Sequence, residues 1–349
     1  LSGGLDSSLI GKLMSKNTNS NVKGFNIDYE EHFKGYQGEV AEARFAAKNI
    51  GVSLIEDKIQ YSDFKKIIDN YSFYQDDLVG DEVGIPLYFL GESAKRSGIK
   101  VVQVGEGADE LFYGYDHWLR FIKLNRYIKP ITKSSSNNFK FKGHRANLLS
   151  NIILNRTSFA GGALGFNVPE IEDLLVNGIT DDFELINNVD NKWDDYFSNK
   201  NSKLTKWMTL IDLQIRLPEL LLMRMDKLVM QSSIEARVPF LDHKLIEYIL
   251  TIPEKIIFDK QNTKPLIKQV ANKHIPKEIY NRTKQGFRAP VGEWIKKDQE
   301  YFYDSIRSFN SSTNLFKSKS LEKIISGEDY QKKWYLSNLA NWHLSRSTS

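Results

Sequence analysis

Two stretches of this chain concentrate residue types that can do chemistry. The first is Ser2-Gly3-Gly4-Leu5-Asp6-Ser7-Ser8. Its glycines offer backbone N–H groups with no side chains in the way, and a helix predicted from Ser7 adds its positive end, so the loop suits phosphate oxygens. Ser2 and Ser7 supply hydroxyl donors. Asp6 alone would repel phosphate; its place in such a loop makes sense when Mg²⁺ lies between them. The Gly-Lys-Ser/Thr ending of a Walker loop is missing. A plain glycine turn capping a helix is the competing reading.

The second stretch is VGEGADELFYGY, residues 104–115. Glu106, Asp109 and Glu110 crowd three carboxylates into five positions. That costs electrostatic energy unless a cation binds or a pKa shifts. Asp109 can share Mg²⁺ with Asp6, and Glu106 can move a proton or orient an attacking amine. The alternative is that these acids complement a helix N-terminus.

The elements that must position these loops alternate between strand-like and helix-like patterns over the first ~110 residues. Helices are expected at 7–15 and 38–50, the second stopped by Gly51, and another is capped by Ser62, with Phe64, Ile67, Ile68 and Tyr71 on one face. Pro86 suits a helix's first turn and Gly98 its end. Strands are expected at 22–27, 52–59 and 99–104. Such alternation argues for a parallel sheet covered on both faces, with ligands beyond the carboxyl ends of its strands. The opening loop, an Ile27-Asp28 turn and the loop from Gly105 all fall at those ends. The remainder reads as helical. Residues 132–138 form a polar loop, Asn167-Val168-Pro169-Glu170 marks a helix start, and 159–166 reads as a packing turn. Residues 205–232 form a long helix kinked at Pro218, with Trp207, Met208, Ile211, Ile215 and Met225 as a buried stripe. No internal repeat and no linker is evident.

Composition narrows the function classes. The chain has 349 residues, no Cys and a net charge of +4. Disulfides, thiolate zinc sites and a Cys nucleophile are excluded within these residues. No block of five or more like charges appears, so no nucleic-acid partner is expected. No apolar run of about 18 residues exists, so no membrane span is expected, and a cytoplasmic location is. The six His show no metal-ligand spacing.

SGGLDSS resembles the pyrophosphate loop of the ATP-pyrophosphatase superfamily, whose members cleave ATP between the α and β phosphates and adenylate a substrate. VGEGADELFYGY is similar to the GEGxDELFxGY signature of class B, glutamine-hydrolysing asparagine synthetases. β-Lactam-forming relatives carry Tyr where Glu106 stands, so Glu106 favours the amide-forming branch. RMDK (224–227), SIEARVPFLDHKLIEYIL (233–250) and NRTKQGFRAPVGEWI (281–295) are further matches to that family. Within them, Arg237 and Asp242 read as a structural ion pair, and Arg224 reads equally as a partner for a carboxylate or phosphate and as a surface ion pair. The stretch YQDDLVGDEVGIP, 74–86, departs from the family pattern while keeping acidic Asp77 and Asp81, which puts the substrate in doubt more than the chemistry.

The resemblance implies an α/β fold with a parallel sheet of the ATP-pyrophosphatase (adenine nucleotide alpha hydrolase-like) type and a large helical C-terminal portion. Residues 1–120 would form the α/β core, and 121–349 the mainly helical part completing the active site. An N-terminal glutaminase domain and the first strand would lie upstream. It further implies ATP and Mg²⁺, with a carboxylate, aspartate by default, converted to acyl-AMP and pyrophosphate. Ammonia from the glutaminase domain would then give the amide. Glu106 and Lys284 would be catalytic. Leu1, Ser2, Gly3, Gly4, Asp6, Ser7, Ile27 and Gly105 would bind the nucleotide, and Asp6 and Asp109 the metal. A homodimer is compatible with this reading. Two alternatives stay open: an amidotransferase acting on a sugar acid or natural-product acid, and a tRNA-modifying ATP-pyrophosphatase.

Overall fold

The computed structural model describes residues 1–31, 38–128, 165–179, 184–199, 203–282 and 288–347. It is an α/β structure, mostly helical, with two small parallel sheets among the described residues. The chain groups into two compact units: Leu1–Gly114, Glu219–Lys297 and Ser345–Ser349 form one, and Tyr115–Pro218 with Asp298–Leu344 the other.

The first unit begins with helix α1 (Leu5–Asn17) and strand β1 (Lys23–Tyr29). Helix α2 (Val40–Ile50) then crosses over to strand β2 (Ser53–Ile59). β1 and β2 pair in parallel from Lys23↔Ser53 to Tyr29↔Ile59, as a helical crossover allows. Gly51 ends α2 in the left-handed region (φ 76°), and its N–H donates to the Ala47 carbonyl. Helix α3 (Tyr61–Tyr74) is capped two residues earlier than the Ser62 reading. Gln60 occupies the cap position, its N–H donating to the Asp63 carboxylate at 3.1 Å. Helix α4 (Gly84–Arg96) carries Pro86 in its first turn. Strand β3 (Val101–Gln103) pairs in parallel with β4 (Glu235–Arg237), a partner more than a hundred residues away. The expected turn at Ile27-Asp28 is strand instead, because β1 continues through Tyr29.

The same unit buries an aromatic cluster. Trp294, 1% exposed, stacks on Phe64 with ring centroids 4.3 Å apart, and Tyr29 meets its edge at 5.7 Å. The Tyr29 hydroxyl donates to the Arg288 carbonyl at 3.0 Å, so the ring is held at both ends.

The expected helix over 205–232 is three segments: Leu204–Ile211, a π-helical stretch Asp212–Leu222, and Met223–Met230. Pro218 lies inside the π-helical stretch and donates no N–H; widening the turn replaces the predicted kink. Trp207, Met208, Ile211 and Met225 are buried as expected, and Ile215 is half-buried.

In the second unit, Asn167 caps the helix Val168–Leu174. Its side chain accepts from the Glu170 N–H at 3.0 Å and Glu170 accepts from the Asn167 N–H at 3.1 Å, a reciprocal cap legible from the sequence. Leu174, Ile306, Phe309, Phe316, Leu321, Ile325, Leu336 and Ala340 form its core cluster. The segment 132–138 lies outside the described residues, as does most of 159–166. No helix among the described residues is long and apolar enough to cross a membrane.

Trp294→Ala should cost about 3–5 kcal/mol by emptying the centre of this cluster. Urea denaturation measures it, and a midpoint equal to that of the unsubstituted chain would show the cluster to be dispensable.

Candidate functional site

The opening loop is built against β1 and α2. The Asn26 side-chain amide on β1 donates to the Leu1 carbonyl at 3.0 Å, fixing the loop's entry. Gly3 sits at φ 74°, and a Cβ there would lie 2.5 Å from the Glu42 carbonyl carbon and oxygen, so only glycine fits. Gly4 caps α1, accepting from the Ser8 N–H at 3.1 Å. The Ser2 and Ser7 hydroxyls face each other at 3.3 Å, and Ser2 Oγ accepts from the Gly4 N–H at 3.3 Å.

The second loop lies directly on the first. A Cβ at Gly105 would stand 3.0 Å from the Asp6 Cβ. After it, the short helix α5 (Ala108–Phe112) carries Asp109 and the buried Glu110. Leu241, from the Val238-Pro239-Phe240-Leu241 run, packs onto Gly107, beneath this loop.

Asp6 and Asp109 converge on a residue that sequence reasoning missed. The Lys264 ammonium lies 2.5 Å from Asp6 Oδ2 and 2.8 Å from Asp109 Oδ1, and its side chain is 6% exposed. Lys264 adopts φ 53°, immediately ahead of Pro265, which opens the helix Pro265–Ala271. Burial acts to depress this ammonium, but the charges of Asp6 and Asp109 and its hydrogen bonds to both outweigh burial and hold it above the usual lysine range.

Glu106 faces Arg224, with Nη2 to Oε1 at 3.7 Å. The buried Arg224 also pairs closely with Asp81, in the stretch that departs from the family pattern. Buried Tyr71 donates its hydroxyl to the Asp81 carbonyl at 3.0 Å. Arg224 thus forms an ion pair with the chain's own Asp81 and Glu106, and that pair is buried rather than at the surface. The predicted Arg237–Asp242 pair does not form. Arg237 bonds Glu235 at 2.8 Å, while Asp242 caps the helix His243–Thr251 through the N–H groups of Lys244 (3.0 Å) and Leu245 (3.3 Å). The cap draws Asp242 back onto its own helix, as short carboxylates at helix starts do.

Ser2, Gly3, Gly4, Asp6, Ser7, Gly105 and Asp109 are thus brought together. Ile27 is 4% exposed within β1, a core position. Lys284 and Gly286 lie outside the described residues. The donor set suits Mg²⁺, which typically takes one or two protein carboxylates and completes its shell with substrate phosphates and water. Among the described residues no group of three or more His, Cys, Asp or Glu could hold a metal as a closed cage.

Comparison with known proteins adds a family. A family model described as asparagine synthase matches residues 1–344. The chain is 26% identical to asparagine synthetase (glutamine-hydrolyzing) 1 of Bacillus subtilis (strain 168), over 98% of this chain and 55% of that protein. It is also 26% identical to a putative asparagine synthetase (glutamine-hydrolyzing) of Mycobacterium tuberculosis (strain H37Rv), over 98% of this chain and 53% of that protein. Amidase chyE of Penicillium rubens is 24% identical over 84% of this chain and 49% of its own length. The chain therefore spans about half the length of these curated relatives.

A lysine whose pKa is raised on folding contributes stability fully below the ordinary value of ~10.4 and loses it as pH rises through the raised value. Lys264→Met should accordingly destabilise by about 3–5 kcal/mol at neutral pH, by leaving two mostly buried carboxylates facing each other. Urea denaturation of both proteins from neutral to strongly alkaline pH reads this; equal stability at neutral pH would contradict it.

Proposed function

The chain belongs to the asparagine synthase family, and from that premise we propose that it is the adenylating part of an ATP-dependent amide-forming ligase. A substrate carboxylate attacks the α-phosphate of ATP, the bond to the β-phosphate breaks, and pyrophosphate leaves. Ammonia then attacks the acyl carbon of the acyl-adenylate, AMP departs and a proton is lost. The observation that carries this reading is the convergence of Asp6, Asp109 and Lys264 beside the glycine loop.

Each group has a role in that chemistry. Ser2, Gly3, Gly4 and Ser7 hold the leaving pyrophosphate. Asp6 and Asp109 would hold Mg²⁺, which when bound neutralises phosphate charge. Lys264 supplies a fixed ammonium beside them, bonded to Asp6 Oδ2 and Asp109 Oδ1, and Lys284, on the family motif, a further cation for the leaving group. Glu106 accepts the proton from the incoming amine, steered by Arg224. Leu1 and Gly105 border the nucleotide. Holding carboxylate and phosphate in line supplies much of the rate.

The fold is read as the ATP-pyrophosphatase type. A cavity of about 500 Å³ is bordered by Gly24 and Phe25 of β1 and by Val101, Val102 and Gln103 of β3. The names of the longer relatives support ammonia delivery by a glutamine-hydrolysing portion.

Aspartate is the first substrate to test. A second reading, another carboxylic acid, is favoured by the amidase-named relative and by the divergent segment in which Asp81 reaches Arg224. The test is pyrophosphate release with Mg²⁺, ATP and ammonium, with and without aspartate, and asparagine read by mass spectrometry. Aspartate-dependent pyrophosphate matched by asparagine is expected. Pyrophosphate that appears only with a different acid would move the substrate and keep the chemistry. Asp6→Asn should abolish turnover while preserving the circular dichroism spectrum; unchanged turnover in that variant would remove the loop from the mechanism.

A further inference from the structure

Arg282 is tied to the opening loop from the far end of the sequence. Its Nη1 donates to the Ser2 carbonyl at 2.9 Å. Its Nη2 donates to Glu39 Oε1 at 3.3 Å and lies 3.6 Å from Glu42 Oε1. The side chain is 14% exposed, and that of Glu39 is 13% exposed. Glu39 stands at the start of α2, and Glu42 supplies the backbone on which Gly3 rests. One guanidinium thus joins the loop, the helix behind it and the segment that follows the helix Lys277–Tyr280.

The contact with Ser2 has a geometric consequence. In a trans peptide the carbonyl and the N–H of the next residue point in opposite directions. Holding the Ser2 carbonyl therefore fixes where the Gly3 N–H points. Glycine at φ 74° has the freedom to let that peptide turn over, so the clamp acts at the position least restrained by its own side chain. The two neighbouring N–H groups differ in availability. Gly4's is taken up by Ser2 Oγ at 3.3 Å, whereas Gly3's makes no hydrogen bond to any described residue. It is the donor left for an incoming anion.

Charge works in the same direction. Glu39 and Glu42 sit behind a loop read as binding pyrophosphate, and their charge would oppose that anion. Arg282 faces both and offsets them. Burial holds the Glu39 carboxyl above its ordinary range, and the Arg282 charge counters that only in part. Lysine cannot reproduce this, because a single ammonium lacks the planar fork that spans a carbonyl and a carboxylate together.

We propose that Arg282 is a positioning residue: it locks the Ser2–Gly3 peptide so that the Gly3 N–H is presented to the pyrophosphate portion of the nucleotide. This rests on the adenylating function proposed above. A cavity of about 210 Å³ lined by Gly3, Glu42, Glu278 and Arg282 gives a free guanidinium ion access to the same place in a truncated variant.

The test is calorimetric titration of inorganic pyrophosphate with Mg²⁺ into the whole chain and into Arg282→Met, Arg282→Lys and Arg282→Ala, each checked for folding by circular dichroism. Loss of a charge-assisted hydrogen bond should weaken binding about tenfold or more in Arg282→Met. Arg282→Lys should fall between it and the unsubstituted chain. Millimolar guanidinium, and not sodium at matched ionic strength, should restore binding to Arg282→Ala. In turnover assays the KM for ATP should rise while the KM for the carboxylate stays put. Unchanged affinity in folded Arg282→Met, full affinity in Arg282→Lys, or equal rescue by sodium would each overturn the positioning role alone. An unsubstituted chain that binds no pyrophosphate would overturn the proposed function and this inference with it.

Discussion

The ammonium of Lys264 between Asp6 and Asp109 is the constraint on which the site depends. Two carboxylates with side chains only 20% and 14% exposed repel each other unless a cation stands between them, and here that cation is itself almost fully buried. Breaking such a cluster from one side costs far more than the pairing is worth on its own. It also ties together three segments that are remote in sequence: the start of α1, the second loop and the turn before Pro265. The local backbone is shaped around it. Glycine at 105 lets the two loops touch, and Lys264 adopts a left-handed conformation to reach them.

Around that centre, each loop has its own arginine, Arg224 buried and Arg282 half-buried. Arg282 holds the first loop through the Ser2 carbonyl, and Arg224 holds the second through Glu106. The two arginines differ in what else they bind. Arg282 reaches back to α2, which is scaffold, while Arg224 reaches Asp81 in the segment that departs from the family pattern. The first arrangement supports the loop proposed to hold pyrophosphate. The second lies where the proposed reaction must choose among carboxylates. Counting Asp6, Asp81, Glu106 and Asp109 against Lys264 and Arg224, these six groups carry formal acidic excess. In the proposed reaction, a divalent cation accompanying the nucleotide would offset that excess.

Much of this was legible in the sequence because it is local. Glycines packed with carboxylates mark loops that approach a ligand, Asn167 and Glu170 three residues apart mark a reciprocal cap, and Gly51 marks the end of a helix. The alternation of strand and helix patterns led to the parallel β1–β2 pair. Lys264 was hidden because nothing in its neighbourhood singles it out among the 48 Lys and Arg residues of the chain. Its one local signal, a lysine directly before the Pro that opens a helix, reports backbone rather than chemistry. Arg237 and Asp242 misled for the opposite reason: nearness in sequence suggested a pair, yet each found a closer partner on its own element. The π-helical stretch around Pro218 was read as a kink because a missing N–H announces a fault in the ladder without saying how the turn relaxes.

The central claim is that a carboxylate attacks the α-phosphate at this loop. The most direct measurement is to supply the acid substrate labelled with oxygen-18 in its carboxylate, together with Mg²⁺, ATP and ammonium, and to examine the AMP formed by mass spectrometry. The account predicts that a labelled oxygen is carried into AMP for each amide produced, because the acyl–oxygen bond breaks when ammonia attacks. Unlabelled AMP, or label appearing in inorganic phosphate alongside ADP, would contradict it.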